Sequence, residues 1–498
     1  YKRQVTFRAD GSSKFAPSNR WGYFPAAALG WRMSEEAFLN DVDWLDNLKL
    51  RVSYGEVGND GINSSLWSQN WEATSDKRYQ GAVNGAFLPS YSLGADMANK
   101  DLKWETTITR NIGVDFGFFN SRLTGTIDAY WNTTKDLLMK TAIPGITGFT
   151  STYANVGQTS NKGIEIALQG VLVKTRDWNV TAGFNINFNR GKVDKLADNV
   201  TGLYGTEWAT SSTFPKSDYV LKEGRPVGLV RGLTADGFYT TDDFTYANGV
   251  YTLKEGVADV SSAVFPNYHL HNGMNERPAG QLAYPGMAKF KDLNDDGIIN
   301  DDDVDVIGDM TPVHTGGFNI NATYKNFDLG LYFNWSYGNE IYNVNKLAAL
   351  YGYKEGAVYE NKLSIVKDCY KIYDVVNGEL VALTTPEQLN AANANAKLPL
   401  AYSENGYVST LGIEDGSYLR LNTLTLGYTL PKSMLQKAGI SNLRVYGSIY
   451  NVFTITGYSG IDAEVSTSTS TKTYPQLGMD WGTYPRARSF VLGVNLSF

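Results

Sequence analysis

The sequence predicts an all-β fold that forms part of a large antiparallel transmembrane β-barrel with long extracellular loops. Three observations predict it: long segments that alternate apolar and polar residues, connections that are alternately short and long, and a last alternating segment that ends on an aromatic residue. Alternation with period two puts one set of side chains on each face of a strand. Segments of about ten residues match a tilted bilayer crossing better than the roughly five or six residues usual in soluble sheets.

Four segments alternate most clearly. In residues 178–189 one phase, from Trp178 to Phe188, is apolar and the other is mostly asparagine. The same pattern occurs in residues 123–132, 318–325 and 327–337, and Lys325-Asn326 reads as a tight turn between the last two. Weaker or phase-slipped candidates bring the total to about a dozen strands: residues 4–9, 20–32, 48–57, 107–119, 162–173, 418–430, 442–453 and 488–498.

The connections between these segments predict how the chain crosses the membrane. Residues 120–121 and 174–177 are short turns, whereas residues 58–100, 191–313 and 339–416 lack sustained alternation. Short periplasmic turns and long extracellular loops are typical of membrane barrels. We therefore expect residues 1–498 to be one barrel portion with long extracellular loop regions at residues 191–313 and 339–416.

The apolar phase of these strands is predicted to face lipid. A charge at the bilayer midplane costs a few kcal/mol, and Asp128 and Lys325 both lie on the polar phase. A soluble antiparallel sheet with one wet face would alternate in the same way. The last strand supports the membrane alternative, because it alternates from Phe490 to a terminal Phe498 and so resembles the signal that outer-membrane barrel insertion reads.

The composition excludes several classes of protein. The chain contains 22 Phe, 32 Tyr, 11 Trp and 50 Gly, and only 19% of its residues are charged, which favours turn-rich β structure. A formal net charge of -7 gives no basic surface for nucleic acid. Cys369 is the only cysteine, so neither an internal disulfide nor a multi-cysteine zinc site can form. No stretch reaches the roughly 18 apolar residues of a membrane helix.

Several longer strings resemble the SusC/RagA-like branch of the TonB-dependent transporters, and they extend over nearly the whole chain. They are Arg8-Ala9-Asp10-Gly11-Ser12, Phe24-Pro25-Ala26, Gly30-Trp31-Arg32, Leu50-Arg51-Val52-Ser53-Tyr54-Gly55, Leu102-Lys103-Trp104-Glu105, Asn161-Lys162-Gly163-Ile164-Glu165, Tyr418-Leu419-Arg420-Leu421, Tyr450-Asn451-Val452-Phe453 and Tyr484-Pro485. The resemblance implies that the chain is the C-terminal part of a 22-stranded barrel. The plug, the N-terminal extension and the first strands of that family are absent from it, as in a fragment or a cleaved protein.

The resemblance also implies a function. It predicts TonB-dependent import of an oligomeric nutrient, an oligosaccharide or a peptide, across the outer membrane of a Gram-negative bacterium. The expected partners are the lipid bilayer, TonB acting through the missing N-terminal part, and a SusD-like surface lipoprotein that covers the barrel, with two transporters and two lids together. The alternative is a secreted β-rich glycan-binding protein or glycosidase.

The sharpest chemical motif is residues 292–303, which have the spacing of a calcium loop. The predicted ligands of a structural Ca²⁺ are Asp292, Asn294, Asp296, the Ile298 carbonyl, Asn300 and Asp303, with Gly297 at the turn. A hard cation wants six or more oxygens, which a tightly turned loop can supply from consecutive residues. The last ligand is Asp instead of the bidentate Glu, and no amphipathic helix flanks the loop. The alternative is an acidic surface turn.

No catalytic arrangement stands out, and we expect the chain not to be an enzyme. His269 and His271 lie in a Gly- and Asn-rich segment with no nearby third ligand, and neither a nucleophile elbow nor a phosphate loop is present. Aromatic residues in the long loops are candidates for stacking on a sugar or gripping a peptide, although such residues more often pack a loop: Trp67, Trp71, Tyr204 and Trp208.

Overall fold

The computed structural model describes residues 2–74, 80–88, 90–94, 96–197, 200–209, 213–265, 277–350, 363–401, 406–435, 439–466 and 476–498. Twelve long strands form one antiparallel sheet, in which every strand pairs with its neighbours in chain order. We call this sheet the wall. Its strands are β1 (Lys2–Gly11), β2 (Trp21–Arg32), β3 (Leu45–Asn59), β4 (Glu105–Phe118), β5 (Leu123–Lys135), β6 (Gln158–Lys174), β7 (Trp178–Lys195), β8 (His314–Tyr324), β9 (Phe327–Tyr337), β10 (Tyr418–Thr429), β11 (Asn442–Thr456) and β12 (Ser489–Ser497).

All twelve predicted strands are present in the wall, which confirms the predicted all-β antiparallel fold. Several strands extend beyond the predicted alternation. β7 continues to Lys195, six residues past Asn189, because its hydrogen-bonded pairing with β6 continues where the side chains become charged. The predicted Lys325-Asn326 turn is also confirmed, and Lys325 has the positive φ of 51° that a tight hairpin turn requires.

Residues paired across neighbouring strands point to the same face of a sheet, so each phase can be followed along the wall. One apolar row crosses β2 to β7 through Leu29, Val52, Ile112, Ala129, Ile164 and Phe188. A second row on the same face crosses β7 to β11 through Phe184, Phe318, Phe333, Leu421 and Phe453. This apolar phase is the face predicted to meet lipid.

The long loops form a domain with a core of its own, which the lack of alternation did not predict. Its buried side chains come from three connections of the wall and include Tyr219, Leu233, Tyr342, Tyr407 and Met479. We call this part the loop domain. Packing of large aromatic side chains explains how segments without long strands become ordered, since each aromatic residue buries a large apolar area.

The loop domain contains a four-stranded sheet made of Leu203–Gly205, Tyr219–Leu221, Leu229–Gly232 and Asp305–Asp309. Shorter pairings are Ala235–Phe238 with Ala288–Phe290, Phe244–Ala247 with Val250–Leu253, Asp259–Val260 with Ile298–Ile299, Thr213–Phe214 with Gly406–Tyr407, Tyr373–Val376 with Glu379–Ala382, and Glu340–Asn343 with Ile413–Asp415 and Met479–Asp480. Between β3 and β6 lie Trp71–Thr74 with Ser90–Leu93, Ala82–Val83 with Ala86–Phe87, and Leu138–Ala142 with Ser151–Asn155 and Asp96–Met97.

Three short helices complete the secondary structure: α1 (Val344–Leu350), α2 (Pro386–Asn393) and α3 (Lys432–Leu435). α2 begins where its sequence predicts, because Thr385 and Gln388 form a capping box and Pro386 occupies the first turn, where no backbone donor is needed. Among the residues that the structure describes, every helix is too short or too polar to cross a membrane.

The two faces of β7 provide a direct test of which phase meets lipid. Phe184→Arg should strongly reduce the amount of assembled barrel, because it places a charge in hydrocarbon at a cost of about 2–4 kcal/mol near the midplane. Asn185→Arg, the neighbouring position on the polar phase, should be tolerated. Assembly is measured from the heat-modifiable fraction of the intact transporter in outer-membrane extracts. Equal losses from both substitutions would contradict the assignment of the faces.

Candidate functional site

The polar face of the wall is lined by neutral amides. Asn185, Asn187 and Asn189 follow one another on β7, and Asn319 and Asn321 continue the surface on β8. Hydrogen bonds hold several of them: the Asn321 amide donates to Asn319 Oδ1 at 3.0 Å, and a tyrosine hydroxyl of β5 donates to Asn189 Oδ1 at 2.8 Å. Amides supply both donors and acceptors. This face can therefore contact polar groups of either kind without fixing a charge.

The charged side chains of this face neutralise one another. Arg51 of β3 donates to Asp115 of β4 at 2.9 Å and, through both terminal nitrogens, to Asp128 of β5 at 3.0 and 2.9 Å. Lys49 donates to the other side of Asp115 at 3.3 Å. A two-pronged guanidinium pairing of this kind is stronger and more directional than a single contact. The cluster ties three neighbouring strands together on the polar face.

Gly113 makes room for this cluster. It pairs with Arg51 on one side and with Asp128 on the other, so the ion pair passes directly over it. A Cβ at this position would lie 2.7 Å from the Arg51 Nη2, which is too close for any real contact. Gly427 lies in the same way beneath the ion pair between Arg444 and Asp328, whose Nε to Oδ1 distance is 2.8 Å. Glycine is needed here for close approach of side chains and not for backbone conformation.

A buried carboxylate organises the loop domain. Asp218 is completely buried, and its two oxygens accept hydrogen bonds from the backbone N–H groups of Glu207, Trp208 and Ala209 at 2.8, 2.8 and 3.1 Å. Burial raises the pKa of the Asp218 carboxyl above its usual value, and the three N–H donors oppose that rise. The neighbouring Tyr219 donates its hydroxyl to the Leu477 carbonyl at 2.8 Å, which links two separate loops.

The four aromatic candidates for ligand contact have different roles in the structure. Trp208 is half-buried and packs against the core of the loop domain. Tyr204 faces the guanidinium of Arg231, which lies 4.8 Å from its ring centroid. Trp67 is half-buried, whereas Trp71 is 66% exposed at the start of a short strand. Trp71 and Tyr204 remain the accessible aromatic rings of this set.

The predicted metal ligands lie in a tightly turned loop. Asp292 accepts hydrogen bonds from the backbone N–H groups of Asp296 and Gly297, at 3.3 and 2.7 Å, and Asn294 Oδ1 accepts from the same Asp296 N–H at 3.1 Å. Gly297 has φ 84°, as the sharp turn of such a loop requires. The Asp303 carboxylate is fully buried and accepts from the N–H groups of Leu293 and Asn300, at 2.7 and 2.8 Å, so it joins the two ends of the loop.

Other features around this loop also bear on metal binding. No group of three or more His, Cys, Asp or Glu side chains is arranged to hold a metal ion within the described part of the chain. His269 and His271 lie outside the described residues. An open cleft of about 580 Å³ borders the loop, with Lys289, Lys291 and Asp292 among its lining residues.

One buried charge was missed by the sequence reasoning. Arg420 of β10 is only 2% exposed, forms an ion pair with Asp462, and donates to Glu464 at 3.1 Å. Arg486 reaches the same Glu464 at 2.9 Å, so the four charges fasten the connection between β11 and β12 to the wall. A lone arginine among the leucines of β10 was the available signal. Its acidic partners lie in a loop some forty residues away, and no spacing rule connects them.

A family model described as TonB dependent receptor-like, beta-barrel, matches residues 1–293 of this chain. The chain belongs to this TonB-dependent receptor family. Membership confirms the predicted family, its β-barrel fold and its location in the outer membrane of a Gram-negative bacterium. The family consists of receptors and transporters and not of enzymes, as predicted.

Curated relatives agree with this assignment. TonB-dependent receptor P3 of Formosa agariphila is 31% identical over 502 residues, which are 99% of this chain and 43% of the relative. TonB-dependent receptor SusC of Bacteroides thetaiotaomicron is 30% identical over 507 residues, which are 100% of this chain and 42% of the relative. The chain thus spans somewhat less than half the length of the curated relatives it matches, and it is of the SusC and RagA type, as predicted.

Solved structures share the fold of this chain. The RagAB peptide transporter superposes on all of it with a TM-score of 0.71 at 24% identity, and the match covers 46% of that protein. The same importer in its open-open state gives a TM-score of 0.72. This likeness supports the arrangement of wall and loops described above.

The ion cluster on the wall generates a stability prediction for the intact transporter. Arg51→Gln should lower the free energy of unfolding by about 2 kcal/mol, because it leaves Asp115 and Asp128 half-buried without their cation. Lys49→Gln should cost less than about 1 kcal/mol, since it removes only one exposed partner of Asp115. Urea unfolding in lipid vesicles, followed by tryptophan fluorescence, measures both. Equal effects would show that the cluster does not hold the three strands together.

Proposed function

We propose that the protein imports an oligomeric nutrient, a glycan or a peptide, across the outer membrane. Energy would come from TonB, which acts on a part of the transporter N-terminal to this chain. The observation that carries the proposal is the two-faced wall: one phase is apolar along all twelve strands, and the other is lined by amides and neutralised charges. A lumen with that surface suits the passage of polar oligomers and gives no fixed charge that would trap them.

We also propose a surface lipoprotein of the SusD type as the lid of this transporter. The loop domain supports this proposal, because it is a rigid platform at the loop end of the wall and not a set of loose connections. Rigid surfaces lose less conformational entropy on docking. The names of two relatives, SusC and the RagAB peptide importer, point to both nutrient classes, and a dimer of two transporters with two lids is part of the same proposal.

One purification tests the proposed function. The intact transporter, tagged and extracted in mild detergent, should retain a surface lipoprotein in a one-to-one ratio together with bound glycan or peptide, which mass spectrometry identifies. Uptake of the identified ligand should be lost in cells that lack TonB. A transporter that remains in solution without detergent, or that supports uptake in the absence of TonB, would contradict the proposal. It would favour the alternative of a secreted glycan-binding protein or glycosidase.

We propose a structural Ca²⁺ in the loop of residues 292–303, held by Asp292, Asn294, Asp296, the Ile298 carbonyl, Asn300 and Asp303. The hydrogen bonds within the loop support this donor set, because a carboxylate oxygen that accepts one N–H group still has a lone pair for a cation. The crowding of six aspartates in this segment supports a cation as well, since like charges at close range repel. The ion would fix the loop beside the cleft and perform no chemistry.

Asp296→Ala should abolish Ca²⁺ binding and make the segment more easily cut by protease, because the mutation removes a central ligand and leaves the remaining acids unscreened. Asp302→Ala is the matched control, since it removes the same charge from a position that the spacing does not assign to the ion. Elemental analysis of the intact complex and limited proteolysis with and without chelator give the readouts. If no calcium is found and the two variants resist protease equally, the segment is an acidic turn.

A further inference from the structure

The lipid-facing phase of the wall ends, at the loop end, in a row of cations. Lys162 of β6 pairs directly with Trp131 of β5 on one side and with Arg190 of β7 on the other. The register of β4 with β5 places Arg110 opposite Trp131 on the same row. We call Arg110, Trp131, Lys162 and Arg190 the basic row. The next row towards the membrane is wholly apolar, with Ile112, Ala129, Ile164 and Phe188.

The cations of the basic row lack acidic partners. No carboxylate of the described chain forms an ion pair with Arg110, Lys162 or Arg190; Arg190 donates to the Pro312 carbonyl at 2.8 Å, and Arg110 to the Thr133 hydroxyl at 3.4 Å. Lys162 and Arg190 are both exposed although they face each other on neighbouring strands. Like charges in that position destabilise a sheet. In a chain whose net charge is -7, this local excess of positive charge calls for an external anion.

The nearby carboxylates on this phase are engaged elsewhere. Glu56 accepts a hydrogen bond from the Tyr54 hydroxyl, and Asp194 accepts from Ser160 at 2.9 Å while it pairs with Lys192 at 3.1 Å. These pairings hold Glu56 and Asp194 in contacts of their own. The basic row therefore presents its cations outward.

A groove covers the basic row. It has a volume of about 420 Å³ and is lined by Trp131, Lys162 and Arg190 of the wall and by Pro226, Asp309 and Thr311 of the loop domain. The Asp309 carboxylate faces the groove too, but it accepts the Thr311 N–H at 2.9 Å. A tryptophan beside cations at the edge of an apolar band matches the interfacial zone of a bilayer, where indole rings prefer to lie.

We propose that the basic row binds the phosphate of a phosphorylated lipid headgroup in the outer leaflet. Arg190 and Arg110 are suited to phosphate because the guanidinium donates through parallel N–H groups, and Lys162 adds a point charge between them. The acyl chains of the same lipid would lie along the apolar row below, on Ile164 and Phe188. The proposal rests on the outward orientation of the long loops that the proposed function assumes.

The test uses the intact transporter, stripped of lipid in detergent and titrated with lipid A, the same lipid without phosphates, or inorganic phosphate alone. Native mass spectrometry counts the bound lipid. The double variant Lys162→Gln/Arg190→Gln should bind lipid A at least about tenfold more weakly, given the usual contribution of each cation at an anionic surface. The control Lys325→Gln, which removes a charge from the opposite end of the wall, should bind as the parent does.

The outcomes separate this inference from the proposed function. Equal binding of lipid A by parent and double variant, or equal binding of the phosphorylated and dephosphorylated lipids by the parent, would overturn it. So would competition by inorganic phosphate at the same concentration as the lipid, since the groove would then recognise a free anion. A heat-modifiability assay first checks that each variant is folded. Nutrient uptake, measured separately, can fail without affecting the lipid result.

Discussion

The structure depends on one physical constraint: hydrocarbon offers no hydrogen-bond partner to the backbone and no counter-charge to a side chain. Every wall strand must therefore pair on both sides and keep one phase free of charge. A slip of one residue in β7 would move Phe184 to the polar face and Asn185 into lipid, so the register is fixed along the strand. Where a sequence changes phase, a bulge restores it. The β10 ladder shifts between Leu421 and Thr423, and the leucines on both sides of the shift stay on the same face.

The polar phase of the wall carries the consequences of the same constraint. Its charges pair with each other, and Gly113 lies below the pairing of Arg51 with Asp128 because any side chain there would separate them. Amides fill the neighbouring surface on β7 and β8. Beyond the end of the apolar band the constraint disappears, and the chain changes character: charged residues reach both faces, strands shorten, and aromatic packing in the loop domain replaces long-range pairing.

The sequence predicts what this constraint controls and little else. All twelve wall strands follow from alternation, and the weak signal of residues 418–430 is explained by the bulge in β10. The loop domain could not be predicted, because its core joins residues from separate loops, such as Tyr219, Tyr342 and Met479, with no period between them. The partners of Arg420 were invisible for the same reason. The turn of residues 292–303 was predicted from spacing, since its contacts are local.

The central claim is that the two faces of the wall meet different solvents. Spin labels at residues 184, 185, 186 and 187 of β7 test it most directly in the intact transporter in bilayers, with Cys369→Ser as background; burial raises the pKa of the Cys369 thiol to about 11 and should make it a poor competitor for label. We expect high accessibility to oxygen at residues 184 and 186, and to a water-soluble nickel chelate at residues 185 and 187. The same accessibility at all four positions, or the reverse alternation, would contradict the account.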